Sequence, residues 1–82
     1  MSSLVDIIKG RINRQIVTVE KAVHIAEAKD LPIDRKESSK FKAKKAFDDL
    51  DRMKRHTSID DKVFIGLLNT KLDRFKNRLS NL

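Results

Sequence analysis

The sequence predicts an all-α fold, a small three-helix domain with antiparallel helices and short loops that spans residues 1–82. Three segments repeat apolar residues every three or four positions, which places those residues on one face of an α-helix. The only Pro in the chain separates the first two segments, and Thr and Ser separate the last two. We therefore expect helices near 4–29, 35–55 and 59–80.

The third segment has the most regular apolar stripe, which is built from Phe and Leu alone. Its members are Phe64, Leu68, Leu72, Phe75, Leu79 and Leu82. Such a stripe needs an apolar partner surface, and the other two segments can supply one. Thr57 or Ser58 is expected to cap this helix, because a hydroxyl oxygen can accept a free backbone N–H of the first turn.

The first segment begins at a capping signal and carries a stripe rich in Ile and Val. Ser3 is the expected N-cap, with Asp6 three residues later. Its stripe consists of Val5, Ile8, Ile12, Ile16, Val19, Val23 and Ala26. Because β-branched side chains are mediocre helix formers, this helix should depend on packing against the others.

The second segment follows a break at Pro32, which cannot continue the first helix. Asp34 is the expected N-cap, and the short loop predicts antiparallel packing of the first two helices. The apolar face is thin and rich in Ala, so helices could approach closely there. The predicted core of the whole domain is Val5, Ile8, Ile12, Ile16, Val19, Val23, Phe47, Leu50, Phe64, Leu68, Leu72, Phe75 and Leu79.

The composition argues against an enzyme and against a cofactor or metal site. The chain has no Cys, two Gly and two His, so Cys-based zinc sites and Gly-rich phosphate loops are not expected. The carboxylates of Asp48, Asp49 and Asp51 point in different directions around a helix. Asp48 should pair with Arg52 and Asp51 with Arg55, each one turn away. No secretory signal and no apolar stretch near the roughly 20 residues of a membrane span is visible, so we expect a cytoplasmic protein.

The net charge of +7 is concentrated in the second segment. The basic patch consists of Arg35, Lys36, Lys40, Lys42, Lys44 and Lys45. It could be a solvated face, contact the phosphates of a nucleic acid, or bring the protein close to an anionic membrane surface. Lys is less suited than Arg to reading bases, and Asp60 and Asp61 would oppose DNA at the start of a recognition helix.

Two apolar features are candidates for binding a partner. Ile59, Val63 and Leu67 form a ridge spaced by four, well off the main stripe of the third helix. Either that helix is central and contacts both others, or the ridge is exposed and binds a partner's helix or a second copy in a homodimer. Phe41 lies opposite Leu50 on the helical wheel, and it either folds over the Lys stems or anchors a partner.

The chain opens with Met-Ser-Ser-Leu-Val-Asp-Ile-Ile-Lys-Gly-Arg-Ile-Asn-Arg-Gln, is small, and lacks both Cys and a signal segment. In these features, over its full length, it resembles the cytoplasmic antiholins of T-even bacteriophages, the RIII lysis-inhibition accessory proteins. The resemblance rests on no short motif and assigns no site residue. It implies a phage-encoded regulator in the host cell cytoplasm that binds the cytoplasmic segment of a holin and inhibits lysis.

We therefore expect a non-enzymatic regulatory protein-binding module. A basic helical nucleic-acid-binding regulator is the alternative, which rests on the basic patch. The two differ in how binding responds to salt, since phosphate contacts weaken steeply as salt rises.

Overall fold

The computed structural model describes residues 3–82 and contains three α-helices. They are α1 (Leu4–Ala26), α2 (Ile33–Arg55) and α3 (Lys62–Ser80), and no strand occurs within these residues. The predicted all-α three-helix fold is confirmed. The predicted domain also included Met1 and Ser2, which lie outside the described residues.

The helices run up, down and up. Gln15 Nε2 on α1 donates a 3.0 Å hydrogen bond to the carbonyl of Ala46 on α2, midway along two antiparallel helices joined by a short loop. Two ion pairs, Lys9 with Asp61 and Glu27 with Arg78, join α1 to α3 near their respective starts and ends. α3 is therefore parallel to α1 and antiparallel to α2.

α1 begins as predicted but ends early. Ser3 Oγ accepts the N–H of Asp6 at 3.1 Å, which confirms the expected N-cap. The helix ends at Ala26, and residues 27–30 form a turn instead of continuing it. Val5 is wrong as a core residue, since it is 41% exposed. Lys9 pairs with Asp61 at the start of α3. Val5 lies one turn before Lys9, so α3 does not reach far enough to cover it.

α2 and α3 begin at different residues from those predicted. Ile33 starts α2 directly after Pro32, whose carbonyl accepts the N–H of Lys36, so Asp34 lies within the first turn and is not the N-cap. Asp61 caps α3 through a 3.1 Å hydrogen bond from the N–H of Phe64. The predicted caps Thr57 and Ser58 are wrong, because they precede the first turn of α3 by several residues. The Thr57 hydroxyl instead donates to the carbonyl of Met53 at the end of α2.

The core lies between the three predicted stripes. Its buried members are Ile12, Val19, Val23, Ala26, Ala43, Ala46, Leu50, Leu68, Leu72 and Phe75. The other predicted core residues, Ile8, Ile16, Phe47, Phe64 and Leu79, are partly buried and pack against this cluster. Small side chains at Ala43 and Ala46 allow α1 and α2 to approach closely, which is how Gln15 reaches a backbone carbonyl of α2.

Candidate functional site

The exposed ridge of α3 is shorter than predicted. Val63 is 74% exposed and Leu67 is 60% exposed, one helical turn apart. Ile59 does not belong with them, because it precedes the helix, is half-buried and packs against the core. The candidate site on α3 is therefore Val63 and Leu67 alone, which we call the aliphatic pair.

The position of the aliphatic pair follows from the helical register of α3. Phe64 and Leu68 point toward the core. Val63 and Leu67 directly precede them and therefore lie about 100° away around the helix. Gly66 adds no side chain between the two, and the space around it is open to 4 Å. The two side chains consequently form a small exposed apolar surface that neither α1 nor α2 covers.

A charged contact fixes the start of α3 beside the aliphatic pair. Lys9 Nζ lies 2.7 Å from a carboxylate oxygen of Asp61 and 5.4 Å from the centroid of the Phe64 ring. The hydrogen bond from Lys9, assisted by the backbone N–H of Phe64, lowers the pKa of Asp61. The carboxylate thus stays ionised and continues to cap the helix that presents Val63 and Leu67.

Phe41 stands in solvent, with 69% of its surface exposed. It does not fold over the neighbouring Lys stems to any large extent. Because α2 and α3 are antiparallel, Phe41 lies near the C-terminal end of α3, whereas Val63 lies near its start. The structure therefore does not bring the two predicted partner-binding features together.

The basic patch does not form one face. Lys36, Lys40 and Lys44 follow each other at intervals of four and share one line along α2. Arg35 and Lys42 lie on a second line, and Lys45 lies on a third. A single phosphate backbone could therefore contact only part of the patch.

The part of the basic patch that faces α3 lies opposite a basic residue that the sequence analysis did not identify. Lys40 and Lys44 line a cleft between α2 and α3 together with Lys76, which lies on the opposite wall. The antiparallel course of α2 and α3 could have indicated this neighbourhood, since it aligns residues 76–82 with residues 40–47. It could not have shown that a cleft remains there.

Arg78 is a second residue that the sequence did not single out. Its guanidinium donates two hydrogen bonds to the carboxylate of Glu27, at 2.6 and 3.1 Å, and one to Glu20 at 3.0 Å. The hydrogen bond from Arg78 lowers the pKa of Glu27, and the same pair raises the pKa of the guanidinium. Arg78, Glu20 and Glu27 thus join the C-terminal ends of α1 and α3.

The predicted carboxylate cluster on α2 is partly engaged in an ion pair. Arg55 lies 2.9 Å from Asp51, as their spacing predicted. The predicted pair of Asp48 with Arg52 does not form within residues 3–82. Within residues 3–82, no group of three or more His, Asp or Glu side chains is placed to hold a metal ion. No helix in that range combines the length and the apolar character needed to cross a membrane.

Comparisons of the chain with protein-family models, with curated proteins and with solved structures found no match. The candidate partner-binding surfaces described above are the aliphatic pair, Phe41 and the basic cleft between α2 and α3.

Proposed function

We propose that this chain is a non-enzymatic regulatory module that binds a helical segment of another protein through the aliphatic pair. The observation that supports this proposal is the exposure of Val63 and Leu67 one turn apart beside Gly66. An amphipathic helix could lay its apolar face over this surface, with two of its own side chains on either side of the pair. Exposed apolar surface of this kind is typical of interaction sites.

The resemblance to T-even antiholins supports a specific partner, the cytoplasmic segment of a holin. Binding there would hold the holin in an inhibited state and delay lysis. A second copy of this chain could occupy the same surface, since Val63 and Leu67 could pack against the same residues across a two-fold axis.

The test is a double substitution, Val63→Lys with Leu67→Lys, measured against a matched control. Both side chains are exposed, so the variant should keep the helical circular-dichroism spectrum and the unfolding midpoint of the parent. Each Lys should oppose binding only where a partner would desolvate it. The control, Val17→Lys with Ile25→Lys, adds the same charge at two exposed apolar positions of α1.

We expect the α3 variant to lose capture of a peptide of the holin's cytoplasmic segment, while the control retains it. Sedimentation of both variants reports self-association in the same samples. An α3 variant that folds and still captures the peptide would contradict this proposal and favour Phe41. A salt-sensitive gel shift with mixed-sequence DNA at physiological salt would favour the nucleic-acid alternative instead.

A further inference from the structure

The cleft between α2 and α3 combines an apolar floor with a basic rim. Its volume is about 460 Å³, within the range of clefts that bind small ligands or single side chains. Phe47, Leu79 and Leu82 supply the apolar floor. Lys40, Lys44 and Lys76 supply the rim, and Asp48 is the only acidic side chain in the lining.

The charge of the rim is largely uncompensated. Lys40 has one carboxylate nearby, that of Glu37 at 3.9 Å, which is long for an ion pair. Lys44 and Lys76 form no ion pair within residues 3–82. On the other side of α3, by contrast, Lys9 and Arg78 are bound to carboxylates of neighbouring elements. The cleft is therefore a place where basic groups on two helices converge with fewer acidic groups than basic ones.

The surface between α2 and α3 is also open beyond this cleft. No ion pair joins α2 to α3 in the described part of the chain. A second cleft of about 620 Å³ continues along the same boundary and shares Phe47 and Lys76 with the first. Asn69 lines this second cleft, and its buried Oδ1 has no hydrogen-bond donor. The boundary thus forms a continuous groove.

We propose that the basic cleft binds an acidic segment of a partner protein that carries one apolar side chain between carboxylates. The apolar side chain sits on Phe47 and Leu79, where it removes apolar surface from water. Lys40 and Lys44 are one turn apart on α2, about 6 Å along the axis. Carboxylates one turn apart on a helical segment match that spacing, and Lys76 pairs from the other wall.

This site is separate from the aliphatic pair, which lies at the opposite end of α3. Its chemistry also differs, because the basic cleft brings Lys side chains of two helices together beside apolar side chains, whereas the aliphatic pair lies on α3 alone. A double-stranded nucleic acid would place phosphates against the Lys residues, but its bases are stacked inside the duplex and would leave the apolar floor without a matching group. The apolar floor and the rim together favour an acidic peptide.

The experiment uses the full chain and a fluorescein-labelled helical peptide in which a central Leu is flanked by Glu one turn away on each side. Lys40→Glu, Lys44→Glu and Lys76→Glu together should weaken binding, measured by fluorescence anisotropy, by at least about tenfold. The matched control reverses Arg35, Lys42 and Lys45 to Glu, which changes the net charge by the same amount on other faces of α2. That control should bind within about twofold of the parent, a free-energy difference below 0.5 kcal/mol or so.

Two further measurements use the parent chain and therefore test the proposal even if the triple variant fails to fold. The peptide added to the parent chain should shift the NMR side-chain signals of Phe47, Leu79 and Leu82, and a peptide with Gln in place of Glu should not. Unchanged signals, equal losses in both triple variants, or equal binding of the Gln peptide would overturn the proposal. Binding of phosphatidylserine vesicles but not of the Glu peptide would overturn it in favour of a membrane surface.

Discussion

The guanidinium of Arg78 binds the carboxylate of Glu27 through two hydrogen bonds, of 2.6 and 3.1 Å. This fork joins the last turn of α3 to the residue that directly follows α1. A two-point contact of planar groups fixes orientation as well as distance. It therefore sets how the C-terminal end of α3 lies against α1.

Replacing Arg78 with Met should lower the free energy of unfolding by about 1 kcal/mol, the upper range for partly exposed ion pairs. Met keeps most of the apolar stem but removes the hydrogen bonds to Glu27 and Glu20. Arg74→Met is the control, because Arg74 is exposed on the same helix and forms no ion pair within residues 3–82. Urea denaturation of both variants tests this, and equal losses would contradict it.

The same contact should make stability depend on acid. Arg78 lowers the pKa of Glu27 in the folded state from its ordinary value of 4.5. The stabilisation is therefore fully present above pH 4.5 and is lost as the pH falls below that value through the lower, folded pKa. Unfolding midpoints measured from pH 6 down to pH 3 should show a drop that is smaller in the Arg78→Met variant. A drop of equal size in both proteins would assign it to other groups.

Leu72→Ala should cost about 2–5 kcal/mol, the range for a buried Leu, and this could be most of the stability of so small a domain. Leu72 belongs to the buried core. Leu67→Ala is the same substitution on the same helix at an exposed position, and it should cost less than about 0.5 kcal/mol. Chemical denaturation compares the two, and a small loss for Leu72 would show that the stripe is not the core.

Asn69→Leu should raise the free energy of unfolding by about 1 kcal/mol. The buried Oδ1 of Asn69 has no donor, and an unsatisfied buried acceptor is costly. Leu has the same number and branching of side-chain heavy atoms and no polar atom. Asn77→Leu on the exposed side of α3 should leave stability nearly unchanged. A loss of stability at Asn69 would mean that its amide has a donor in solution.

The stripes could be predicted from sequence because they depend on helical spacing alone. The start of α3 could not, since Ser58 and Asp61 are both good capping residues. Asp61 is the cap because Lys9, distant in sequence, binds the same carboxylate. The end of α1 was placed too late, because no Gly or Pro lies between Ala26 and Asp30 to mark it.

The candidate surfaces were predictable to different degrees. The exposure of Val63 and Leu67 follows from their displacement from the main stripe. Ile59 shares their spacing, but it lies outside the helix, so helical periodicity does not predict its exposure. The basic cleft could not be predicted, because it depends on how far α3 stands from α2 at Lys76.

The ion pairs that join α3 to α1, in addition to the buried stripe of α3, have a consequence for local opening. Charges at the surface are screened by salt, whereas the contact between α1 and α2 depends on small apolar side chains such as Ala43 and Ala46. Native-state hydrogen exchange should therefore show amides of α3 that exchange faster as salt is raised. Amides in the middle of α1 and α2 should change much less, so that the domain opens in two steps of different ionic sensitivity.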